Sequence, residues 1–142
     1  MKKTIYEDLQ HYWQTNNLPP DGGISETFNE ASIGSFSFRY PNFDGRALLL
    51  HDINHLLTGY PTNWVGECQV SAWELASGGR KGYPRTWIYP VSLVMLGLLI
   101  CPVKTYKAFL AGIGKTNPFI LSATVNVLEL SREELERLVF GK

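Results

Sequence analysis

Two histidines one helical turn apart, His51 and His55, and a glutamate placed after eleven intervening residues, Glu67, could together hold a divalent cation. They stand in the run His51-Asp52-Ile53-Asn54-His55, which contains two of the three histidines in the 142-residue chain. Imidazoles four positions apart on a helix project from one face, and two neutral rings on adjacent turns can close on one ion. Asp52 lies about 100° around the helix from His51, near enough to join the ligand set or to orient a bound water. Two histidines with one or two carboxylates leave coordination positions open, which is a catalytic rather than a purely structural arrangement. The set suits zinc and leaves iron, manganese and magnesium open. Ordinary core histidines with hydrogen-bond partners are the competing explanation.

Such a site needs two elements facing each other. Asp44 is placed to cap a helix from about Arg46 to Thr58, and Gly59 suits its C-terminal cap. Tyr60-Pro61-Thr62-Asn63 is a short connection with Thr62 or Asn63 as the next N-cap, and a second helix runs from Trp64 to about Ser77. Helices joined by so short a loop fold back antiparallel. His55 then lies opposite Glu67, and the deeper His51 faces the level of Ser71 and Glu74. Glu74 is placed to accept an imidazole N–H, which would fix the ring. Whichever of Asp52 and Glu67 is not tightly ligated could move a proton.

Elsewhere, Ile5 to Trp13 repeats apolar groups with a helical period until Pro19-Pro20-Asp21-Gly22-Gly23 stops it. Ser32 to Tyr40 fits a strand by Phe36, Phe38 and Tyr40, and a helical face by Ile33, Phe36 and Tyr40. A Gly78–Thr86 loop carries Arg80, Lys81 and Arg85, which could hold an anionic group or a lipid headgroup or be merely solvated. Ile88 to Ile100 is apolar almost all round. As a helix it would span about 20 Å, short of the roughly 30 Å of a bilayer core, and a buried core helix is expected. That segment, with Trp64, Trp73 and Trp87, could line a groove for an apolar tail or simply form core. Val103 to Leu110 looks helical, and Ser131 with Glu134 opens a last helix with a capping-box pattern. The expectation is an all-α fold: one compact helical domain over 1–142, built around an antiparallel helical hairpin carrying a metal site.

Thirteen acidic and thirteen basic side chains balance, so no global field draws in nucleic acid. The two cysteines, Cys68 and Cys101, make no disulfide framework, and no secretory leader is visible, which fits a reducing, cytoplasmic setting. A zincin requires His-Glu-x-x-His, and here Asp52 stands where that glutamate would be. A His-Asp phosphohydrolase requires a further aspartate downstream, and none follows Asp52. The third histidine, His11, lies in a surface helix with no evident nucleophile beside it.

The run His51-Asp52-x-x-His55-x-x-Thr58-Gly59-x-Pro61-Thr62-x-x-x-Gly66-Glu67, with the Trp73-Glu74 pair, resembles the signature of the coenzyme Q biosynthesis protein four family over about Arg46 to Gly79. The resemblance implies a mainly α-helical, peripherally membrane-associated protein that binds a divalent metal, usually zinc. It implies His51, Asp52, His55 and Glu67 as ligands. It also implies action on polyprenylated quinone precursors, by removal of the carboxyl group at ring carbon one of a prenylated hydroxybenzoate, coupled to oxidation. Members are usually well over 200 residues long, and here the approach to the motif is cut down to Pro41–Leu50. The functional expectations are therefore a metal-dependent lyase acting on a prenylated aromatic acid, or a non-catalytic isoprenoid-binding scaffold within a biosynthetic complex. The partners to look for are an isoprenoid lipid, companion enzymes, the inner membrane face and a second copy of the chain.

Overall fold

Caps decide where the helices begin. In the computed structural model, residues 1–141 except 26 and 34 are described, and the side chains of residues 29, 31–33, 36 and 38 lie outside the description. Thr4 closes a capping box with Glu7 to open α1 (Ile5–Thr15), and Ser131 closes one with Glu134 to open α7 (Arg132–Phe140). Each such cap contributes about 1 kcal/mol. The two caps also pair with each other as an antiparallel bridge, which joins the starts of the first and last helices. α1 buries Ile5, Leu9 and Trp13, spaced at helical period, in the same core cluster that holds Leu135 and Val139 of α7.

Among the described residues the domain is all-α apart from one antiparallel β-hairpin, β1 (Phe28–Ile33) and β2 (Phe36–Pro41), in register from Phe28 opposite Pro41 to Ile33 opposite Phe36. The Ser32–Tyr40 segment that fits two periods thus falls to the strand alternative; Gly34 lies outside the described residues. The hairpin docks through aromatic rings. Tyr40 meets Tyr89 edge-on at 5.6 Å, Phe43 stacks on Tyr89 at 5.9 Å, and the Tyr89 hydroxyl donates to the Pro41 carbonyl.

The two site-bearing helices follow their expected boundaries closely. α2 (Gly45–Thr58) starts where the Asp44 carboxylate accepts the Arg46 N–H, and it ends at Gly59 in the left-handed conformation, φ 75°. α3 (Trp64–Ala76) starts where the Asn63 side chain accepts the Gly66 N–H. A Cβ at Gly66 would overlap the Pro61 carbonyl oxygen, so glycine is what lets α3 begin so tightly against the turn. Leu50 and Ile53 of α2 and Trp73 of α3 enter a core completed by Phe119 and Val127.

α4 (Ile88–Ile100), entered through a 3-10 turn over Pro84–Trp87, and α5 (Pro102–Gly112) pack on α3. The close approach uses Gly97, whose added Cβ would crowd Thr105 and Cys68, and Gly112, whose Cβ would crowd the Trp73 backbone and Ala76. α6 (Pro118–Leu121) is a single turn capped by Asn117, which also donates to the Glu74 carbonyl at 3.0 Å and the Gly79 carbonyl at 2.9 Å. That bond pair anchors the end of α3 and the loop that follows.

One expectation is corrected here. Ile88–Ile100 is helical but is not a buried core helix: only Pro90 and Gly97 are fully inside, and its outer side is open. The apolar run satisfies packing on one side only, because α3 and α5 cover a single face. No helix among the described residues is long and apolar enough to cross a membrane.

Candidate metal centre

His51, His55 and Glu67 converge. One ligand atom from each lies within 4.8 Å of the others, the spacing three donors adopt around a common ion. His51 Nε2 is 3.0 Å from Glu67 Oε2, and His55 Nε2 is 3.1 Å from Glu67 Oε1. Both rings are buried, and the Glu67 side chain keeps 27 % exposure.

The fit to a metal rests on how the other ring nitrogens are engaged. His55 Nδ1 lies 2.9 Å from the Tyr60 carbonyl oxygen. A carbonyl can only accept, so Nδ1 carries a proton, which leaves Nε2 as the ring nitrogen that could ligate. That Nε2 is buried without a hydrogen-bond partner, although Glu67 Oε1 lies 3.1 Å away. A buried ring nitrogen without a hydrogen-bond partner beside a carboxylate could take a metal ion. His51 is held differently: its Nδ1 lies 3.0 Å from Glu74 Oε2 and 3.3 Å from Arg80 Nη2, and its Nε2 is hydrogen-bonded to Glu67 Oε2 at 3.0 Å.

Glu74 is the hub behind the site. It is fully buried and accepts from His51 Nδ1, from Asn54 Nδ2 at 2.8 Å and from Arg80 Nε. Burial alone would raise its carboxyl pKa, but the charges of Arg80 and His51 outweigh burial and lower it. Glu67 behaves the same way: burial pushes up, while His55 and His51 pull it well below the usual carboxylate range. Burial opposes charging His51, yet the Glu74 and Glu67 carboxylates on either side raise its pKa overall. Without an ion, the cluster is an imidazolium bracketed by two carboxylates, which is the charge a divalent cation would replace.

The remaining expected residues separate into distinct places. Asp52 is buried but stands outside the converging trio, its Oδ2 accepting the Trp13 indole N–H at 2.8 Å. Burial lifts its pKa to about 6 despite the neighbouring His51 and Trp13. Ser71 is buried with its Oγ unpartnered and bonds neither imidazole. Arg80 is not the solvated loop cation that one of the two alternatives describes. It is 4 % exposed, paired with Glu74, bonded to the Thr86 carbonyl, and stacked over Phe119 at 5.1 Å. The buried Glu74 demands a cation, and the sharp return at Gly78 and Gly79, both with positive φ, supplies the nearest one. Lys81 and Arg85 are exposed as expected.

Beside His51 and Glu67 opens a cavity of about 1020 Å³, at the upper end of the range for small-ligand sites; His55 does not line it. His51, Asp52, Glu67 and Arg80 lie at its polar end. Tyr40 and Pro41 of the hairpin, Leu48 of α2, Trp64 of α3 and Leu93 and Leu96 of α4 form apolar walls. Of the tryptophans expected in a groove, Trp64 lines this cavity, Trp73 is core, and the Trp87 ring covers Gly79.

Tyr12 went unnoticed in the sequence as a site residue. Its ring stacks on His55 at a centroid distance of 6.1 Å, it lines the cavity, and its buried hydroxyl has no hydrogen-bond partner. Burial and the nearby Asp52 and Glu67 raise its pKa, so it remains a donor. The available signal was the Tyr12-Trp13 pair, one phenol and one indole N–H on the inner side of α1. Tyr12→Phe is expected to stabilise the ligand-free protein by about 1 kcal/mol, because an unsatisfied buried hydroxyl is costly. Urea unfolding reads this out, and a loss of stability would mean the hydroxyl has a partner.

Comparison with protein-family models, curated proteins and solved structures finds no match to this chain.

Proposed function

We propose that this chain is a divalent-metal protein, most simply a zinc protein, in which His51, His55 and Glu67 hold the ion beside an apolar cavity that accepts an aromatic or isoprenoid acid. The observation that carries this reading is the buried, unpartnered His55 Nε2 beside Glu67, with Nδ1 bonded to the Tyr60 carbonyl. The reaction proposed is the carboxyl loss that the resemblance to the coenzyme Q biosynthesis protein four family implies, taken without its oxidation: a prenylated aromatic acid releases carbon dioxide and gains a proton at the ring carbon, a lyase step of quinone assembly.

The bound metal would supply Lewis-acid withdrawal of charge from the carboxylate or an adjacent phenolic oxygen. The chain's own residues supply the rest. Tyr12 Oη–H is positioned to donate to an anionic oxygen at the polar end. Glu74 holds His51 in one orientation through Nδ1. Asp52, fixed by Trp13 and outside the ligand trio, is the carboxyl left to deliver the proton that replaces the lost carboxyl group. Leu93 and Leu96 of the apolar wall would lie against the tail.

Metal content of the purified protein tests the site. A stoichiometric divalent ion is expected, falling at least tenfold in occupancy in His55→Ala and in Glu67→Ala. Occupancy of a few per cent that these substitutions leave unchanged would sink the reading. Turnover of a prenylated hydroxybenzoate by metal-loaded protein, lost in Asp52→Asn with metal retained, tests the chemistry separately.

A further inference from the structure

Among the described residues that line the large cavity, Arg80 is the one lysine or arginine. Its buried guanidinium is held from three sides. Nε donates to Glu74 Oε1, Nη1 donates to the Thr86 carbonyl at 3.2 Å, and Cζ lies 5.1 Å from the centre of the Phe119 ring. Nη2 is placed differently. The atom it faces is His51 Nδ1, at 3.3 Å. That ring nitrogen also lies 3.0 Å from Glu74 Oε2. A carboxylate oxygen only accepts, so Nδ1 carries a proton and cannot accept from the guanidinium. Nη2 is thus left without an acceptor among the described residues. A buried charged donor in that state is costly, and the side chain that carries it borders an open cavity.

We propose that Arg80 anchors the acid group of the cavity's ligand, a single carboxylate on an apolar or aromatic body, with Nη2 donating to one carboxylate oxygen. The inference rests on the reading of the cavity as an acid-binding site, and it adds which protein group takes the acid. Charge selects a monoanion. Nε and Nη1 are engaged, which leaves one nitrogen rather than a fork of two for the ligand. Lys81 and Arg85 do not line the cavity, whereas Glu30, Asp44, Asp52 and Glu67 do, so a doubly charged head such as phosphate is poorly matched. The acids nearest the polar end are already engaged, Glu67 by His51 and Asp52 by the Trp13 indole. Because Glu74, Thr86 and Phe119 fix the guanidinium beforehand, little ordering remains when the ligand arrives. The anchor also stands apart from the metal ligands' meeting point, since Arg80 meets His51 at Nδ1 and Glu67 meets it at Nε2. Trp64, Leu93 and Leu96 offer the apolar wall for the body of such an acid.

Calorimetric titration of the full chain, freed of metal by a chelator, tests it with two probes: para-octylbenzoate and its uncharged isostere para-octylbenzamide. With no ion present and both His51 nitrogens engaged by carboxylates, a preference for the acid belongs to Arg80. The acid is expected to bind about tenfold tighter than the amide or better, the worth of one hydrogen bond to a charged group. Arg80→Lys keeps a cation for Glu74 but has no second nitrogen to offer, so the preference should fall to about parity while the amide binds as before. Unfolding midpoints show whether this variant folds. If it does not, Glu74→Ala with Arg80→Met, which strands no buried charge, carries the same expectation. Equal binding of the two probes by the parent, or a preference that persists in the folded variant, overturns the proposal alone. A cavity that takes neither probe overturns the acid-binding reading with it. Failure of the metal site is read separately, in metal content.

Discussion

Glu74→Ala is expected to destabilise the fold by about 3–5 kcal/mol, the cost of breaking a buried ion pair from one side. Glu74 has no exposed atom and accepts three donors, from His51, Asn54 and Arg80. Its removal strands the Arg80 guanidinium, 4 % exposed, against the Phe119 ring and the Thr86 carbonyl. Arg80→Met alone should cost a comparable amount, by stranding the carboxylate. The double variant Glu74→Ala, Arg80→Met should recover much of the loss, because an apolar pair replaces an ionic one and the uncompensated charge disappears. Metal affinity should behave differently. The double variant still lacks the carboxylate that orients His51, so its affinity should stay about 10- to 100-fold below the parent even where stability returns. Urea unfolding and metal titration on the same three variants check both halves. Additive losses in stability, or a Glu74→Ala cost below about 1 kcal/mol, would show that the pair is not the buried hub described.

The contrast between Glu74 and Arg80 shows how far the sequence could be read. Glu74 was legible as a carboxylate behind His51, because two capped helices and a short turn put it at the right height. Asp44, Gly59 and Asn63 announce those helices by local chemistry, each acting within a turn of its own position. Arg80 was not legible. Its burial follows from where Gly78 and Gly79 turn the backbone, and from Asn117, far along the chain, fastening that turn. Tyr12 and Trp13 were hidden for the same reason, since they reach His55 and Asp52 across about 40 residues of chain. α4 misled in another way. An apolar pattern reports that a surface avoids water, and it is silent on whether protein or another apolar phase provides the cover.

Proton competition should govern metal binding here, and the sign follows from the cluster's charge. In the metal-free protein His51 is raised above its ordinary 6.5, so the stability it contributes is complete below that value and drains away as pH rises through its folded pKa. Asp52, raised from 3.8 to about 6, likewise gives up its contribution as pH rises through that range. Glu67 and Glu74 are lowered from 4.5, so their contribution is present above that value and lost on acidification. The metal-free protein should therefore be most stable near pH 4.5, lose some stability as Asp52 ionises towards about pH 6, and decline further above 6.5 as His51 gives up its contribution. Metal binding must displace the His51 proton, so apparent affinity should rise about tenfold per pH unit while that proton is held. At a free metal concentration a thousandfold above Kd, binding adds about 4 kcal/mol, which makes the loaded protein resist the alkaline decline that weakens the metal-free one. Thermal unfolding with and without zinc from pH 5 to 9 measures both curves. Metal-free stability that climbs steadily above pH 6.5, or an affinity indifferent to pH, would contradict an imidazolium held between Glu67 and Glu74. His51→Gln provides the internal check: with no imidazole to titrate there, most of the alkaline decline and the tenfold dependence should vanish together.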